Sequence, residues 1–192
     1  RLKEWSHILN DKEGWSPQEI EFTFESASVE DLYLLQTRDM AIRERKKVLR
    51  FDFTDVPGDA YLGHGIGVSG GAMSGRLVFT LEDIEEWRVM DPGAKLILAR
   101  NDTVPDDIQE IHAADGLLTA RGGLTSHAAV IAHRLGKTCV VNCTNMDCNE
   151  KEKYCEFNQI RIKSGEHISI DGHEGSVYQG LTKVTETRKG AN

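Results

Sequence analysis

Three short apolar segments, separated by segments with helical character, constrain the fold of this chain more than any other feature. They are AKLILAR at 94–100, GLLTA at 116–120 and TCVVN at 138–142. Apolar runs of this length are typical of strands that are buried on both faces of a sheet. The segments between them, VPDDIQEIHAA and SHAAVIAHRL, predict helices, the first with Pro105 in its first turn and the second ending before Gly136. This alternation predicts a compact α/β domain.

The segments on either side of this alternating region predict further β-structure. The glycine-rich stretch 61–79 predicts loops and tight turns that lead into a first clear strand at 76–79. Thr80 is the expected N-cap of a short helix that follows. The alternating apolar residues of 159–180 predict a β-meander. We therefore expect one domain over 61–182, with a mixed sheet.

The N-terminal part of the chain has a different character. Residues 20–38 contain two β-prone runs, IEFTF and LYLLQ, which predict a β-hairpin. A lone hairpin is not stable in water, so we expect it to belong to a larger domain or to pack on the rest of the chain. The segment 39–50, DMAIRERKKVLR, is rich in basic residues. A solvated linker helix is favoured there over an anion-binding stripe.

Composition excludes several classes of partner. The formal net charge of −8 argues against a general affinity for nucleic acid or for anionic lipid. No apolar run approaches the ~20 residues of a membrane helix, and no segment resembles a signal peptide. A cytoplasmic protein without nucleic-acid or membrane partners is therefore expected.

The cysteines lie close together in the sequence but have no metal-ligand spacing. They are Cys139, Cys143, Cys148 and Cys155, and no two of them form a C-x-x-C pair. Reduced thiols without a functional role are therefore favoured over a zinc site.

The segment GGLTSHAAVIA joins a predicted strand to a predicted helix. Gly122 and Gly123 allow a sharp turn, Thr125 or Ser126 caps the helix, and His127 lies in its first turn. The free amides and the positive end of the helix dipole form a site for an anion and favour a neutral imidazole. A neutral imidazole can attack phosphorus, and the turn amides and hydroxyls can then bind the phosphoryl group. The simpler alternative, a histidine that only decorates the helix, stays open on these residues alone.

Other catalytic arrangements are disfavoured. Ser126 and His127 are adjacent in the sequence, and no G-x-S-x-G motif is present, so a hydrolase triad is not expected. A Walker-type nucleotide loop is also absent from the sequence.

The longer run LLTARGGLTSHAAV resembles the phosphohistidine signature of the PEP-utilising enzymes, in particular their pyruvate phosphate dikinase branch. Three further runs, GIGVSGGAMSGRLVFTLEDIEEW, DDIQEIHAADGLLTARGG and ISIDGHEGSVYQG, resemble the swivelling domain of the same family in the same order. The resemblance covers most of residues 65–180 and implies a β/β/α-type domain in which His127 is the phosphorylated nucleophile.

The resemblance extends to the N-terminal hairpin. EFTFESASVEDLYLLQTR is similar to the last strands of the family's ATP-grasp domain, which implies that Glu21, Gln36 and Arg38 are remnants of a site for ATP and metal. The stretch between Glu21 and Gln36 is longer than the family pattern. The expected organisation is a fragment of an ATP-grasp domain at 1–40, a linker at 41–60, the phosphohistidine domain at 61–182 and a tail or linker at 183–192.

The resemblance also implies a function. A phosphoryl group would pass through His127 between an ATP site and a pyruvate or phosphoenolpyruvate site, with Mg²⁺ accompanying ATP or phosphoenolpyruvate at the partner domains. Those partners would be an ATP-grasp domain and a barrel domain, in the same full-length chain or as separate subunits. The alternative is a stand-alone phosphocarrier or regulatory subunit of a PEP synthase-like multi-subunit kinase, without turnover of its own.

One position departs from the family pattern. The family has an arginine six residues after the active histidine, where this chain has His133. Because histidine is only partly charged near neutral pH, another cation would have to stabilise the phosphoryl group. Arg121, beside the glycine turn, is a better candidate than Arg134, which is about two helical turns away. Thr125 occupies a position that is phosphorylated in plant members of the family, but a plain turn hydroxyl is favoured here.

Overall fold

The computed structural model describes residue 4 and residues 18–26, 28–39, 48–54, 57–58 and 60–187. The chain divides into two compact units, residues 1–46 and residues 47–192. In the first unit, β1 (Gln18–Phe24) and β2 (Leu32–Asp39) form an antiparallel pair, with a 3-10 turn at Val29–Asp31 before β2. The predicted hairpin is therefore confirmed.

The second unit is built on an eight-stranded mixed sheet with the order β4-β14-β13-β6-β7-β8-β9-β5. The strands β6, β7, β8 and β9 run parallel, and the other pairings are antiparallel. The strands of this sheet are β4 (Tyr61–His64), β5 (Ile66–Ser69), β6 (Ala72–Val78), β7 (Leu96–Arg100), β8 (Gly116–Thr119), β9 (Thr138–Val141), β13 (His167–Asp171) and β14 (Ser176–Gln179).

Two smaller sheets and three helices complete the described part of this unit. A three-stranded antiparallel sheet contains β10 (Met146–Asn149), β11 (Tyr154–Phe157) and β12 (Ile160–Lys163). A two-stranded sheet pairs β3 (Val48–Phe51) with β15 (Val184–Thr187). The helices are α1 (Leu81–Met90), α2 (Ile108–Ala113) and α3 (His127–Arg134), with a 3-10 turn at Pro105–Asp107 before α2.

The large sheet is covered on both faces, because side chains of successive strand residues point to opposite sides. Leu117 packs in a cluster with buried residues of the three helices, such as Ala128. Leu118 packs in a second cluster that includes Phe157 and Ile162 of the three-stranded sheet. The result is a layered arrangement of small sheet, large sheet and helices, which matches the predicted β/β/α-type domain with a mixed sheet.

The helix boundaries follow from local capping, as the sequence predicted for α1 and α3. The Thr80 hydroxyl accepts a hydrogen bond from the Asp83 amide, and the Asp83 carboxylate accepts one from the Thr80 amide, so the two form a capping box. At the end of α3, Gly136 has a φ of +65°, a conformation that glycine adopts without strain. None of the helices in the described residues is both long and apolar enough to cross a bilayer.

The predicted strand at 76–79 is confirmed over 76–78, where it forms the end of β6, but the prediction of loops and turns before it was wrong. Strands β4, β5 and β6 occupy most of 61–79. Glycines within these strands permit close approach of neighbouring backbones: a Cβ at Gly67 would lie 2.7 Å from the His173 carbonyl oxygen, and one at Gly75 would lie 2.6 Å from that of Lys95. Glycine therefore marks crowded positions within the strands as well as the turns between them.

The predicted meander over 159–180 was only partly right. Strands β13 and β14 pair as expected, but β12 pairs with β11 in the small sheet. The hydrogen-bonding partners of a strand are not encoded in its own alternation. The expected linker helix over 39–50 was wrong at residues 48–50, which belong to β3, and its residues 40–47 lie outside the described part. The expected tail at 183–192 begins with a strand, β15.

The cysteines divide into one disulfide and two buried thiols, which corrects the expectation of four reduced thiols. Cys148 and Cys155 face each other across β10 and β11 and form a disulfide. Cys139 and Cys143 are buried free thiols. Burial raises the pKa of Cys139 to about 12 and that of Cys143 to about 11, because an apolar interior disfavours the thiolate.

The state of the cysteines can be counted with the thiol reagent DTNB. We expect no fast reaction in the native protein, since a raised pKa and burial leave almost no accessible thiolate at Cys139 and Cys143. Unfolding without reductant should expose two thiols, and unfolding after reduction should expose four. Four reactive thiols in the unreduced protein would contradict the disulfide.

Asp115 joins α1 to the start of β7. Its carboxylate accepts hydrogen bonds from the Leu96 amide at 2.9 Å and from the Arg88 guanidinium at 2.8 Å, and it lies 3.4 Å from the Lys95 ammonium. Burial by itself would raise the pKa of Asp115, but these donors and charges outweigh it and lower the pKa below 3.8. The ionised carboxylate therefore stabilises the folded state.

We expect Asp115→Asn to lower the free energy of unfolding by about 1–2 kcal/mol near pH 7, because charged hydrogen bonds are lost. Because the pKa of Asp115 is lowered in the folded state, the ionised carboxylate stabilises the fold in full above pH 3.8. This stabilisation should disappear as the pH falls through the folded-state pKa, where Asp115 of wild type becomes neutral like the asparagine of the variant. Urea unfolding at neutral and acidic pH measures both effects. Asp106→Asn, at an exposed carboxylate, is the matched control. A loss that is equal at both pH values, or equal in the control, would contradict this account.

Candidate functional site

The candidate site lies where β8 ends and the chain turns into α3. The turn covers residues 120–126, which we call the histidine loop because His127 follows it. Gly122 has a φ of +101°, where a side chain would be strained, and a Cβ there would lie 3.3 Å from the Ser126 hydroxyl. Gly123 does not have a positive φ, and a Cβ at this position would meet no other atom within 4 Å. Of the two glycines, only Gly122 is required by the backbone.

The first turn of α3 has a side-chain cap, but two of its backbone amides remain available to a ligand. Ser126 is the N-cap, and its hydroxyl accepts a hydrogen bond from the Ala129 amide at 3.3 Å, so the alternative cap Thr125 is ruled out. Thr125 is exposed in the loop. The amides of His127 and Ala128 donate to no acceptor within the described residues. The imidazole of His127 is exposed beside them.

The base of the histidine loop is held by hydrogen bonds to its neighbours. The Thr119 hydroxyl donates to the Arg121 carbonyl at 2.6 Å, and the Thr119 carbonyl accepts from the Cys143 amide at 3.0 Å. The Arg121 amide donates to the Asn101 carbonyl at 2.9 Å. The loop is thus fixed where it leaves the sheet, while Gly122 and the helix start face solvent.

A buried arginine closes the end of the neighbouring strand β7. The Arg100 guanidinium donates to the Phe79 carbonyl and pairs with Asp107 at 3.2 Å and with Glu110 at 4.0 Å. Its side chain is 7% exposed. With its charge compensated and its donors used, Arg100 supports the floor of the site rather than binding a ligand.

The predicted cations are exposed around α3. Arg121 is exposed and forms no ion pair with a described residue. His133 and Arg134 are exposed in the last turn of the helix. Seven residues of helix place Arg134 about 10 Å along the axis from His127. Arg121 directly precedes Gly122 at the start of the glycine turn.

The residues predicted for an ATP and metal site lie in the other unit. Glu21 and Gln36 are exposed and stand opposite each other in the register of β1 and β2, next to a bulge between Glu21 and Phe22. Arg38 pairs with Glu19 in the same hairpin, and its side chain lies outside the description. Among the described residues, no cluster of three or more His, Cys, Asp or Glu side chains could hold a metal ion.

Asn101 and Thr119 were not predicted from the sequence as residues of the site. Each stands at or just beyond the carboxyl end of a parallel strand, where polar residues of an α/β sheet meet ligands. That position is a usable signal for Thr119. The partner of the Asn101 side chain is Cys148, 47 residues away, and no local pattern indicates it.

The arrangement of His127 suits transfer of an anionic group. An exposed imidazole provides a nucleophilic nitrogen, and adjacent open amides at a helix start stabilise negative charge. The small side chains of Ala128 and Ala129 are buried on the sheet side of α3, while His127 stays exposed.

Comparison with known proteins identifies a family with a mobile domain that this chain resembles. Residues 92–175, which include the histidine loop and α3, match the family model of the PEP-utilising enzyme, mobile domain. The NMR solution structure of Enzyme I (nEIt) overlaps 46% of this chain and 31% of that chain, with 25% sequence identity and a TM-score of 0.32, which is too low to establish a common fold.

The similar curated proteins are pyruvate, phosphate dikinases. The one from Clostridium symbiosum is 32% identical over 88% of this chain and 22% of its own length. That from Rickettsia felis is 34% identical over 85% of this chain and 21% of its own length, and chloroplastic dikinase 1 of Arabidopsis thaliana is 44% identical over 60% and 12%. The chain thus spans about a tenth to a fifth of the length of these relatives. It carries a mobile domain of the PEP-utilising enzyme family, similar to that of the pyruvate, phosphate dikinases.

Proposed function

We propose that this chain is the phosphoryl-carrier part of a pyruvate phosphate dikinase-like phosphotransferase, and that His127 carries the phosphoryl group. The observation that supports this most is the exposed imidazole at the first position of α3, beside the unbonded amides of His127 and Ala128. This site falls within the match to the family's mobile domain. A surface histidine without a function would not need unbonded amides beside its imidazole.

The proposed reaction has two halves at one nitrogen. In the first, a ring nitrogen of His127 attacks phosphorus, the N–P bond forms, and the bond between phosphorus and the donor oxygen breaks. The other ring nitrogen keeps its proton, so His127 transfers no proton itself. In the second half, an acceptor oxygen attacks phosphorus and the N–P bond breaks, which restores the neutral imidazole.

The histidine loop supplies electrostatic stabilisation in this proposal. The phosphoryl group on His127 carries roughly two negative charges, by analogy with other phosphorylated side chains, while the ring, which keeps its proton, carries one positive charge. The amides at the start of α3, the amides of Gly122 and Gly123, and the hydroxyls of Thr125 and Ser126 would share that negative charge. Arg121 would provide the permanent cation that His133 does not.

The donor and acceptor sites are proposed to lie on partner domains. ATP would bind to an ATP-grasp domain, to which Glu21, Gln36 and Arg38 contribute, and pyruvate or phosphoenolpyruvate would bind to a barrel domain. Mg²⁺ would accompany these substrates there and neutralise phosphate charge. The carrier would move between the two sites on the segments that flank it.

Phosphorylation of His127 is directly testable. We expect the chain, incubated with phosphoenolpyruvate, Mg²⁺ and a pyruvate, phosphate dikinase that lacks its mobile domain, to gain one acid-labile phosphoryl group. Intact-mass and fragmentation analysis should place the group at His127, and His127→Ala should abolish it. His112→Ala removes another exposed imidazole of the same domain and should be labelled like wild type.

Two other outcomes of this experiment are informative. Equal labelling of His127→Ala would eliminate His127 as the carrier. A chain that phosphoenolpyruvate does not label, but that another phosphoryl donor labels at His127, would favour the stand-alone phosphocarrier over the dikinase component.

The role of Arg121 can be tested by removing its positive charge and then introducing a positive charge at residue 133. We expect Arg121→Gln to slow phosphorylation of His127 by about 10-fold, because one cation that stabilises the transition state is removed. Adding His133→Arg, which restores the arginine of the family pattern, should recover part of the rate. Arg134→Gln removes an equally exposed cation from the far end of α3 and is the control. An equal effect of Arg134→Gln would show that only the overall charge matters.

A further inference from the structure

The base of the histidine loop rests on the segment that follows β7. The Ala120 amide donates to the Arg100 carbonyl at 3.1 Å, and the Arg121 amide donates to the Asn101 carbonyl at 2.9 Å. These bonds continue the pairing of β7 and β8 past the ends of both strands. The position of residue 101 therefore sets the position of the loop that leads to His127.

The side-chain nitrogen and oxygen of Asn101 both form hydrogen bonds with one residue of the three-stranded sheet. Its amide nitrogen donates to the Cys148 carbonyl at 2.7 Å, and its amide oxygen accepts from the Cys148 amide at 2.7 Å. A carboxamide is one of few side chains that can donate and accept together in this way. Asn101 thus connects the histidine loop to the three-stranded sheet.

The geometry of β10 explains why Cys148 is available for this contact. β10 is an edge strand of the small sheet, and Cys148 stands opposite Cys155 with a Cα–Cα distance of 4.2 Å. That short distance is typical of a pair that exchanges no backbone hydrogen bonds, so the amide and carbonyl of Cys148 point away from β11. Asn101 occupies this free edge, and the disulfide to the buried Cys155 holds the edge in place.

We propose that Asn101 is a positioning residue for phosphoryl transfer through His127, an inference that rests on the function proposed above. Asn101 touches neither the imidazole nor a substrate. It acts through Arg121, whose amide it anchors by its own carbonyl, while its side chain fixes that carbonyl against Cys148. Because a small displacement of a reacting group costs a large part of the transfer rate, a loosened loop base would slow the reaction.

The test compares two half-buried polar side chains of the same domain, each bound to the amide and the carbonyl of one distant residue. Asn101→Ala removes the contact with Cys148. Ser74→Ala removes a hydroxyl that donates to the Thr182 carbonyl at 2.7 Å and accepts from the Thr182 amide at 3.2 Å, without contact to the histidine loop or the residues that hold it. Both variants should lose stability to urea. The full chain is then phosphorylated with phosphoenolpyruvate, Mg²⁺ and a pyruvate, phosphate dikinase that lacks its mobile domain.

For Asn101→Ala we expect the maximal rate of phosphorylation to fall by about 10- to 100-fold. The concentration of carrier that gives half the maximal rate should stay unchanged, because the exposed surface is the same. The Arg121 amide should also exchange its hydrogen faster in the folded variant. Ser74→Ala should keep the rate and the protection of wild type despite its lower stability.

A milder variant covers the case in which Asn101→Ala does not fold. Asn101→Ser keeps a hydroxyl that can replace one of the two hydrogen bonds to Cys148, so a smaller fall in rate is expected. If wild type is labelled at His127 and both Asn101 variants react at the wild-type rate, or Ser74→Ala is slowed equally, the positioning role is refuted. If wild type itself is not labelled at His127, the proposed function fails instead.

Discussion

Burial of the four parallel strands on both faces is the constraint on which the second unit depends. Leu117 and Leu118 of β8 point to opposite faces, one toward the helices and the other toward the small sheet, and both are almost completely buried. With no water on either face, the strand backbones must be satisfied within the sheet, and the chain can expose polar groups only at the sheet edges. The carboxyl edge therefore collects the segments that carry Asn101, Arg121 and His127.

The histidine loop combines a fixed base with an open end. Thr119, Asn101 and Cys143 hold the residues where the loop leaves β8. Beyond Gly122 the chain makes no comparable contacts, and the helix begins with amides that are free to bind an anion. A carrier must present its nucleophile to more than one partner in a defined orientation, and such a loop meets both demands.

Local patterns in the sequence predicted the elements that are stabilised locally. The apolar runs identified β7, β8 and β9, the Thr80 capping box marked the start of α1, and Gly136 ended α3. Where neighbours in space decide the structure, prediction failed. Gly63, Gly67 and Gly75 are crowded positions within strands, and β12 joins a different sheet from β13, because both features depend on residues distant in the chain.

The sequence by itself predicted the local features of the candidate site: an imidazole at a helix start, a glycine turn before it, and a cap at Thr125 or Ser126, of which the structure selects Ser126. These are short-range features, since a turn and a cap involve residues only a few positions apart. Tertiary structure alone decided that Cys148 meets Cys155 across two strands and that Asn101 joins this pair to the histidine loop. The first contact depends on the register of β10 and β11 within the small sheet. The second bridges two layers of the domain, and only packing of those layers brings Asn101 within hydrogen-bonding distance of Cys148.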